Sequence, residues 1–449
     1  MEKITILSSS GGLGSGFPEK SLSEGLKMNP DVIALDAGSS DPGPYYLGAG
    51  LTTESRASVK RDLELLLMAR QKKNIPLIIG SAVTTGAKPN LEWTIDIARE
   101  IAKEKRLKFK LAKIEADINK DIIRKALKEK KIKTFETGKA LTKKDIDNAT
   151  RIVAQMGIEP FIKALKLKPD VIIAGRAYDP AVIASLPIMK GFDKGLAIHM
   201  GKILECGCMA CEPASGFDVL VATMQKNCFI LKPPNKIRKC TKESVAAHTL
   251  YEKDNPIRLG LPGGLLDLTN VSFEEIGDRS VKVSGSKFIE EKYTVKLEGA
   301  TKVGYRTIFI AGARDPILIN KIDEVIDAVK DEVKNEFKGT KFKTFFHIYG
   351  KNGVMGNLEF IKNSTPHELG IIGEVVADTQ EASKAICGQL CHRMMHYDYP
   401  GRKATAGNLA CLYSPQSVAI GEVYEFNIYH LLEVSDPTEL FPVSIEEIG

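Results

Sequence analysis

Asp36 and Asp41 stand in LDAGSSDPGPYYLGAG, residues 35–50, directly after an apolar run. Two carboxylates in so tight a loop can hold a metal, a ribose, a cationic group or only the loop's own backbone. Asp36 ends a predicted strand, a position that favours a site, whereas an aspartate before proline, as at Asp41, commonly initiates a turn. GGLGSG at 11–16 follows an earlier predicted strand. Its backbone N–H groups suit a phosphate or carboxylate, or its glycines make only a turn. The spacing fits neither G-x-G-x-x-G nor a P-loop. GRAYDP at 175–180 supplies Arg176 and Asp179. An arginine at a strand end can clamp a carboxylate through two parallel hydrogen bonds, or it can pair with Asp179 inside the loop.

Two further stretches carry acid/base candidates. In AAHTLYEKDNP, 246–256, His248 and Glu252 lie four apart, on one face if the stretch is helical, with Tyr251 beside them. A carboxylate that orients a histidine is a common general-base arrangement. In HMGKILECGCMACEP, 199–213, Glu205 precedes Cys206. The spacing of Cys206, Cys208 and Cys211 resembles half of a zinc or iron–sulfur site, but no second cluster of matching spacing follows. Buried packing is therefore the main reading of these thiols, and no metal ligands are assigned. His392 and His396 are four apart without the glutamate of H-E-x-x-H, and histidines in a last turn suit the helix dipole.

The elements that must position these groups read as follows. ITILSSS, VIALDAG, IPLIIGSAV, KFKLAKIEA and DVIIAGRA are short apolar runs separated by helical stretches. Such runs indicate buried parallel strands joined by right-handed crossovers. The expected fold class is α/β: an N-terminal doubly wound, mostly parallel sheet, with a second α+β domain. Ligands in such sheets sit beyond the carboxyl ends of the strands. The loops at 11–16, 35–50, 80–87, 115–119 and 175–180 should converge there. After about residue 225 the pattern alternates as in strands half exposed to water, with long helices at 316–337 and 379–396. The expected domains are 1–225 and 226–449, with a mixed or antiparallel sheet in the second.

The chain has 449 residues, 43% hydrophobic and 27% charged, with net charge +6 and eight cysteines. This is the composition of a soluble globular protein of two domains, with reduced thiols as in the cytoplasm. No apolar run is long enough to span a membrane, and the start lacks the apolar core of a signal peptide. The basic stretch 103–144 has no aromatic residues placed for base stacking, so nucleic acid is not an expected partner.

Several stretches taken together resemble the acyclic terpene utilisation (AtuA-like) family: GFPEKSLSEGL, PDVIALDAGSSDPGPYYLG, KPDVIIAGRAYDPAVIA, KILECG with ACEP, AAHTLYE, LPGG, DTQEAS and YPGRKATAGNLACLYSP. The resemblance implies a cytoplasmic protein in the catabolism of branched or substituted carboxylic acids. It also implies a small companion domain protein and hence a hetero-oligomer. It supplies no catalytic set. Cys206 matches the family's Glu-Cys-Gly run, while Cys208 and Cys211 look like additions.

Together these observations point to a lyase (hydratase or dehydratase) or isomerase acting on a small carboxylic acid or its CoA thioester. Asp36, Glu205, His248 and Glu252 are the acid/base candidates. Gly12, Gly14, Ser39, Arg176, Asp179 and Tyr251 are the candidate substrate contacts. Hydration, dehydration and isomerisation of such acids need an anion clamp and one or two proton-moving groups. The cofactor is open: a divalent metal is compatible, and NAD is not expected. The alternative is a subunit that is incomplete until its small partner docks. A transferase would need a nucleophile, for which Cys206 and Ser10 are the candidates.

Overall fold

The structure, a computed structural model, describes residues 2–136, 138–362, 364–403 and 407–449. Residues 404–406 of the stretch YPGRKATAGNLACLYSP lie outside the described residues.

The chain runs β1 (Lys3–Ser8), α1 (Glu19–Lys27), β2 (Val32–Asp36), α2 (Pro44–Ala49), α3 (Arg56–Lys73), β3 (Leu77–Gly80), α4 (Lys88–Lys105) and β4 (Phe109–Ile114). It continues through α5 (Lys120–Lys128), β5 (Ile132–Thr134), α6 (Lys143–Asn148), β6 (Arg151–Ala154), α7 (Ile158–Leu165), β7 (Val171–Ala174), α8 (Asp179–Met189) and α9 (Lys194–Leu204). Next come β8 (Leu220–Gln225), β9 (Cys228–Lys232), α10 (Lys242–Thr249), β10 (Arg258–Leu261), β11 (Gly264–Asp267), β12 (Ser272–Ile276), β13 (Ser280–Ser284) and β14 (Lys287–Glu290). The last part holds β15 (Thr294–Ala313), α11 (Pro316–Glu336), β16 (Phe342–Tyr349), β17 (Leu369–Ala377), α12 (Gln380–His396), β18 (Ala410–Cys411), β19 (Ser417–Glu433) and β20 (Val443–Ile448).

Two compact units result, 1–301 with 426–449, and 302–425. The first is built on a ten-stranded sheet of order β12-β13-β9-β8-β1-β2-β3-β7-β4-β20. Its centre, β1-β2-β3-β7-β4, is parallel. Antiparallel strands extend it on both sides. The fold is thus α/β as expected, with the parallel part confined to five strands. Alternation along the central strands feeds two cores. Ile6, Val32, Ala34, Ile78 and Ile172 face one side, with α7, α8 and α9. Leu7, Ile33, Leu35, Ile79 and Ile173 face the other, with α1, α3 and α4. Strands apolar on both faces require a helical layer on each, which is the doubly wound arrangement.

The boundary expected near residue 225 falls inside the β8–β9 hairpin, where Met224 is paired with Phe229. Part of the half-exposed alternation after about 225, in β9, β12 and β13, is that of edge strands of the same sheet, while β15, β16, β17 and β19 form a second sheet. AIGEVYEFNIYHLLEV lies mostly in β19 and is followed by β20, which pairs with β4.

The second unit has the element order β15-α11-β16-β17-α12-β19 and the strand order β16-β17-β15-β19, an interleaved βαββαβ pattern. The helices α11 and α12 pack on one face of the sheet through Ile322, Val329, Ile386 and Leu390 against Phe309, Ile371 and Val375. The apolar stretches TVKLEG and GYRTIFIAG are joined in one continuous β15.

Candidate functional site

The carboxyl ends of β1, β2, β3 and β7 leave the first unit's sheet on one side, and a cleft of about 270 Å³ opens there. It is lined by the loops after β1 (Gly11, Gly12, Leu13), β2 (Asp36–Ser39, Asp41) and β3 (Thr84), and by Asp179 at the start of α8. Glu205 and Cys206 enter from the end of α9, and Tyr251 and Glu252 from the turn after α10. The loop at 115–119, expected here too, contributes no lining residue. Its Asp117 instead accepts the amide of Lys88 at the start of α4.

Asp36 is placed by β2 and by a glycine that tolerates no side chain: a Cβ on Gly38 would meet the nitrogen and oxygen of Thr84 at 2.3 Å. Asp36 is only 6% exposed. Its Oδ2 accepts the amide of Gly38 at 3.3 Å, and the Ser81 hydroxyl lies near enough to help hold the carboxyl down. Burial pushes its pKa well up, the nearby Asp179 pushes it further, and Arg176 opposes both. Asp41 shapes the turn: Ser39 Oγ donates to its carboxylate at 2.9 Å, and its own amide donates to Ser39 Oγ at 3.2 Å.

Arg176, expected to clamp a substrate carboxylate, does not line the cleft. Its guanidinium is buried behind the wall. Nε donates to Glu298 at 2.9 Å, and Nη1 reaches Gly38 O, Ser81 Oγ, Ala177 O and Asp179 Oδ1 at 3.2–3.4 Å. It therefore ties the β2, β3 and β7 loops together. Glu298 is fully buried and lies 2.9 Å from Lys296 Nζ as well. Burial alone would raise its pKa, but Arg176 and Lys296 hold it at about 2. Asp179 is raised by burial, against the pull of Arg176 and Lys202.

On α9, Lys202 and Glu205 lie three apart and face each other, Nζ to Oε1 at 2.6 Å. Lys202 also reaches Glu252 at 3.4 Å. Glu205 is 5% exposed, and its Oε2 has no hydrogen-bond partner. Burial raises its pKa to about 8 despite Lys202, with Asp179 adding to the rise.

The His248–Glu252 pair does not form. The helix α10 ends at Thr249, and Glu252 has φ +55°, so the four-residue spacing no longer shares a face. His248 stacks on Tyr251 instead, with ring centroids 5.4 Å apart. Burial, with Lys202 adding, pushes its pKa down to about 4, so the ring is neutral near pH 7. It lies behind the lining rather than in it.

The glycine loop is also partly committed. Gly14 and Gly16 both donate their amides to Asp62 Oδ2 at 2.9 Å, so the expected anion cradle is filled by the chain's own carboxylate on α3. Gly12 lines the cleft. Neither candidate nucleophile is activated. Burial, and then Glu205, push the Cys206 thiol up, and Ser10 Oγ donates to Gly12 O.

Cys206 faces the cleft, while Cys208 and Cys211 are buried, Cys211 with its sulfur 3.6 Å from that of Cys240. The C-x-C-x-x-C run is thus divided between two environments. Among the described residues, no group of three or more His, Cys, Asp or Glu side chains is arranged to hold a metal ion.

The sequence reading missed Lys202, Glu298 and Glu54. Lys202 had a usable signal in its i, i+3 spacing from Glu205. Glu298 had none, being 122 residues from Arg176.

The fold and site define an α/β protein with an acid-lined cleft at its strand ends. The family model described as acyclic terpene utilisation family protein AtuA matches residues 55–418, and the chain belongs to that family. No curated protein and no solved structure matches the chain. The family's name ties it to acyclic terpene utilisation, a catabolic role. Asp179, Glu205, Cys206, Tyr251 and Glu252 fall within the matched stretch, and the loops at 11–15 and 36–42 precede it. Among the described residues, no helix is long and apolar enough to cross a membrane.

Proposed function

We propose that this chain is a catabolic enzyme, a lyase or isomerase, that moves a proton next to the carbonyl of a small branched or substituted carboxylic acid or its CoA thioester. One observation carries the reading: Glu205 lines the cleft almost fully buried, with one oxygen fixed by Lys202 and the other without a partner. A carboxyl with a pKa of about 8 holds both its forms near neutral pH, so it can take a proton from carbon and return it. Lys202 favours the ionised form and fixes the direction of the carboxyl. Asp36 offers a second proton-handling position on the same wall. Arg176 acts as a positioning residue, holding three loops and Asp179 in register. Membership in a family named for acyclic terpene utilisation supports branched, catabolic substrates, and the eight free cysteines fit work in the cytoplasm.

The test is a thermal-shift screen of branched and hydroxylated acids and their CoA thioesters, followed by hydration and isomerisation assays of each hit. The expected result is a hit whose turnover is lost in Glu205→Gln while the fold is kept. Full turnover in that variant would end the proposal.

A second reading, that the chain is completed by a partner or another copy, is favoured by apolar side chains left open in the second unit. Val354, Leu358, Phe360 and Leu412 are 85, 80, 76 and 69% exposed. Turnover by the purified chain alone would remove this reading.

A further inference from the structure

We propose that Cys211 and Cys240 are a peroxide-sensitive dithiol that closes into a disulfide and fastens the segment after α9 to the start of α10. This modification site goes beyond the proposed reaction and does not rest on it.

The backbone sets the pair. Glu212 and Lys239 exchange both backbone hydrogen bonds, amide to carbonyl, at 2.7 and 2.9 Å, as an antiparallel bridge. The next pair in that register is Cys211 with Cys240. Such a pair exchanges no backbone hydrogen bonds, and its side chains approach most closely. The two sulfurs lie 3.6 Å apart. Side chains hold the same segments together: Thr241 Oγ1 donates to Glu212 Oε1 at 2.7 Å, and Ser244 Oγ donates to Ala210 O at 2.9 Å. Closing to a bonded distance of about 2.05 Å therefore needs a small turn of two side chains and little backbone movement. The third thiol of the run, Cys208, is turned to Val219 O at 3.0 Å, which leaves Cys240 as the partner in reach.

Cys211 is the attacking group. Its neighbours Cys208 and then Cys240 pull its thiol down to about 5, burial opposes them, and Arg238 adds to the pull. Both thiols are buried. Beside them Glu212, Pro213, Arg238 and Lys239 line a surface hollow of about 330 Å³, so a small oxidant such as hydrogen peroxide suits the site better than a bulky one. The Cys211 thiolate attacks one peroxide oxygen, the O–O bond breaks, and the leaving hydroxide takes a proton to become water. Cys211 is then a sulfenic acid. The Cys240 sulfur attacks it, the S–S bond forms, the S–O bond breaks, and the hydroxide leaves with the Cys240 proton as a second water. Two electrons pass from the sulfurs to the peroxide. The bridge follows Glu205 and Cys206 by one short loop, and α10 leads to Tyr251 and Glu252, so it fastens two parts of the cleft wall.

The test treats the reduced full chain with hydrogen peroxide at neutral pH, blocks remaining thiols with N-ethylmaleimide in acid, and maps the unreduced peptides by mass. The peptides of Cys211 and Cys240 should be joined, with a loss of two hydrogens, before any other cysteines pair. The melting temperature should rise by roughly 3–5 °C and return with dithiothreitol. Cys240→Ser should keep the circular dichroism of the reduced protein, lose the bridge and the rise, and leave Cys211 as a sulfenic acid that dimedone captures. Cys211→Ser should lose both the bridge and the dimedone adduct at this site. A bridge from Cys211 to Cys208 would overturn the pairing. So would oxidation of Cys391 with Cys411, whose sulfurs are 4.0 Å apart, while Cys211 and Cys240 stay reduced. A Cys211–Cys240 bridge that leaves the melting temperature unchanged would overturn its role as a fastening.

Discussion

Replacing Glu298 by glutamine removes the one carboxylate shared by Arg176 and Lys296 in the floor of the first unit. The wild-type carboxyl is held at about 2 instead of 4.5. At about 1.36 kcal/mol per tenfold change in proton affinity, this amounts to about 3 kcal/mol of stability at neutral pH. The residue is fully buried, so solvent screening takes nothing from that figure. Breaking a buried ion pair from one side costs about 3–5 kcal/mol, which agrees. The folded value is depressed, so the stabilisation is complete above pH 4.5 and is lost as pH falls from 4.5 through about 2. At pH 3.5 roughly two fifths of it should be gone. The chain's single tryptophan, Trp93, lies on α4 of the same unit, so urea unfolding followed by its fluorescence reads this unit. Glu298→Gln should unfold at lower urea than wild type at pH 7, and the gap should narrow at pH 3.5 by roughly two fifths. A gap under about 0.5 kcal/mol at pH 7, or one equal at both pH values, would refute the account of Glu298 as the shared counter-charge.

Three further outcomes are expected. Glu205→Gln should lower turnover about 10²–10⁴-fold and remove the limb of the wild-type pH profile near 8; a surviving limb would assign it to another group. Cys206→Ala should leave turnover intact, and wild-type Cys206 should alkylate slowly at pH 7, because its thiol is pushed up by burial; rapid labelling by iodoacetamide would contradict this. Gly38→Ala should destabilise by about 1–3 kcal/mol or more in a thermal melt, since its Cβ would stand 2.3 Å from the Thr84 backbone; an unchanged melting temperature would show that the two loops are not in close contact.

The sequence by itself determined the central strands, since the apolar runs around Ile6, Ile33, Ile79 and Ile172 are buried on both faces and can only be interior strands. It also pointed to the strand ends, because strand-end loops are where side chains are free to meet a ligand, and Asp36, Asp179, Glu205, Tyr251 and Glu252 line the cleft that opens there. The tertiary structure alone decided how those groups are used. Arg176 turned inward because Glu298, 122 residues on, waits in a different strand, and no local spacing encodes that partner. Gly14 gave its amide to Asp62 because α3 packs there, and His248 lost Glu252 because α10 ends at Thr249. Extra strands after residue 220 joined the first sheet, because edge pairing is set by what else the fold leaves unpaired. Local sequence fixes periodicity and loop chemistry; charge pairing in a buried site depends on which distant chains arrive within about 3 Å, and only the folded structure sets those distances.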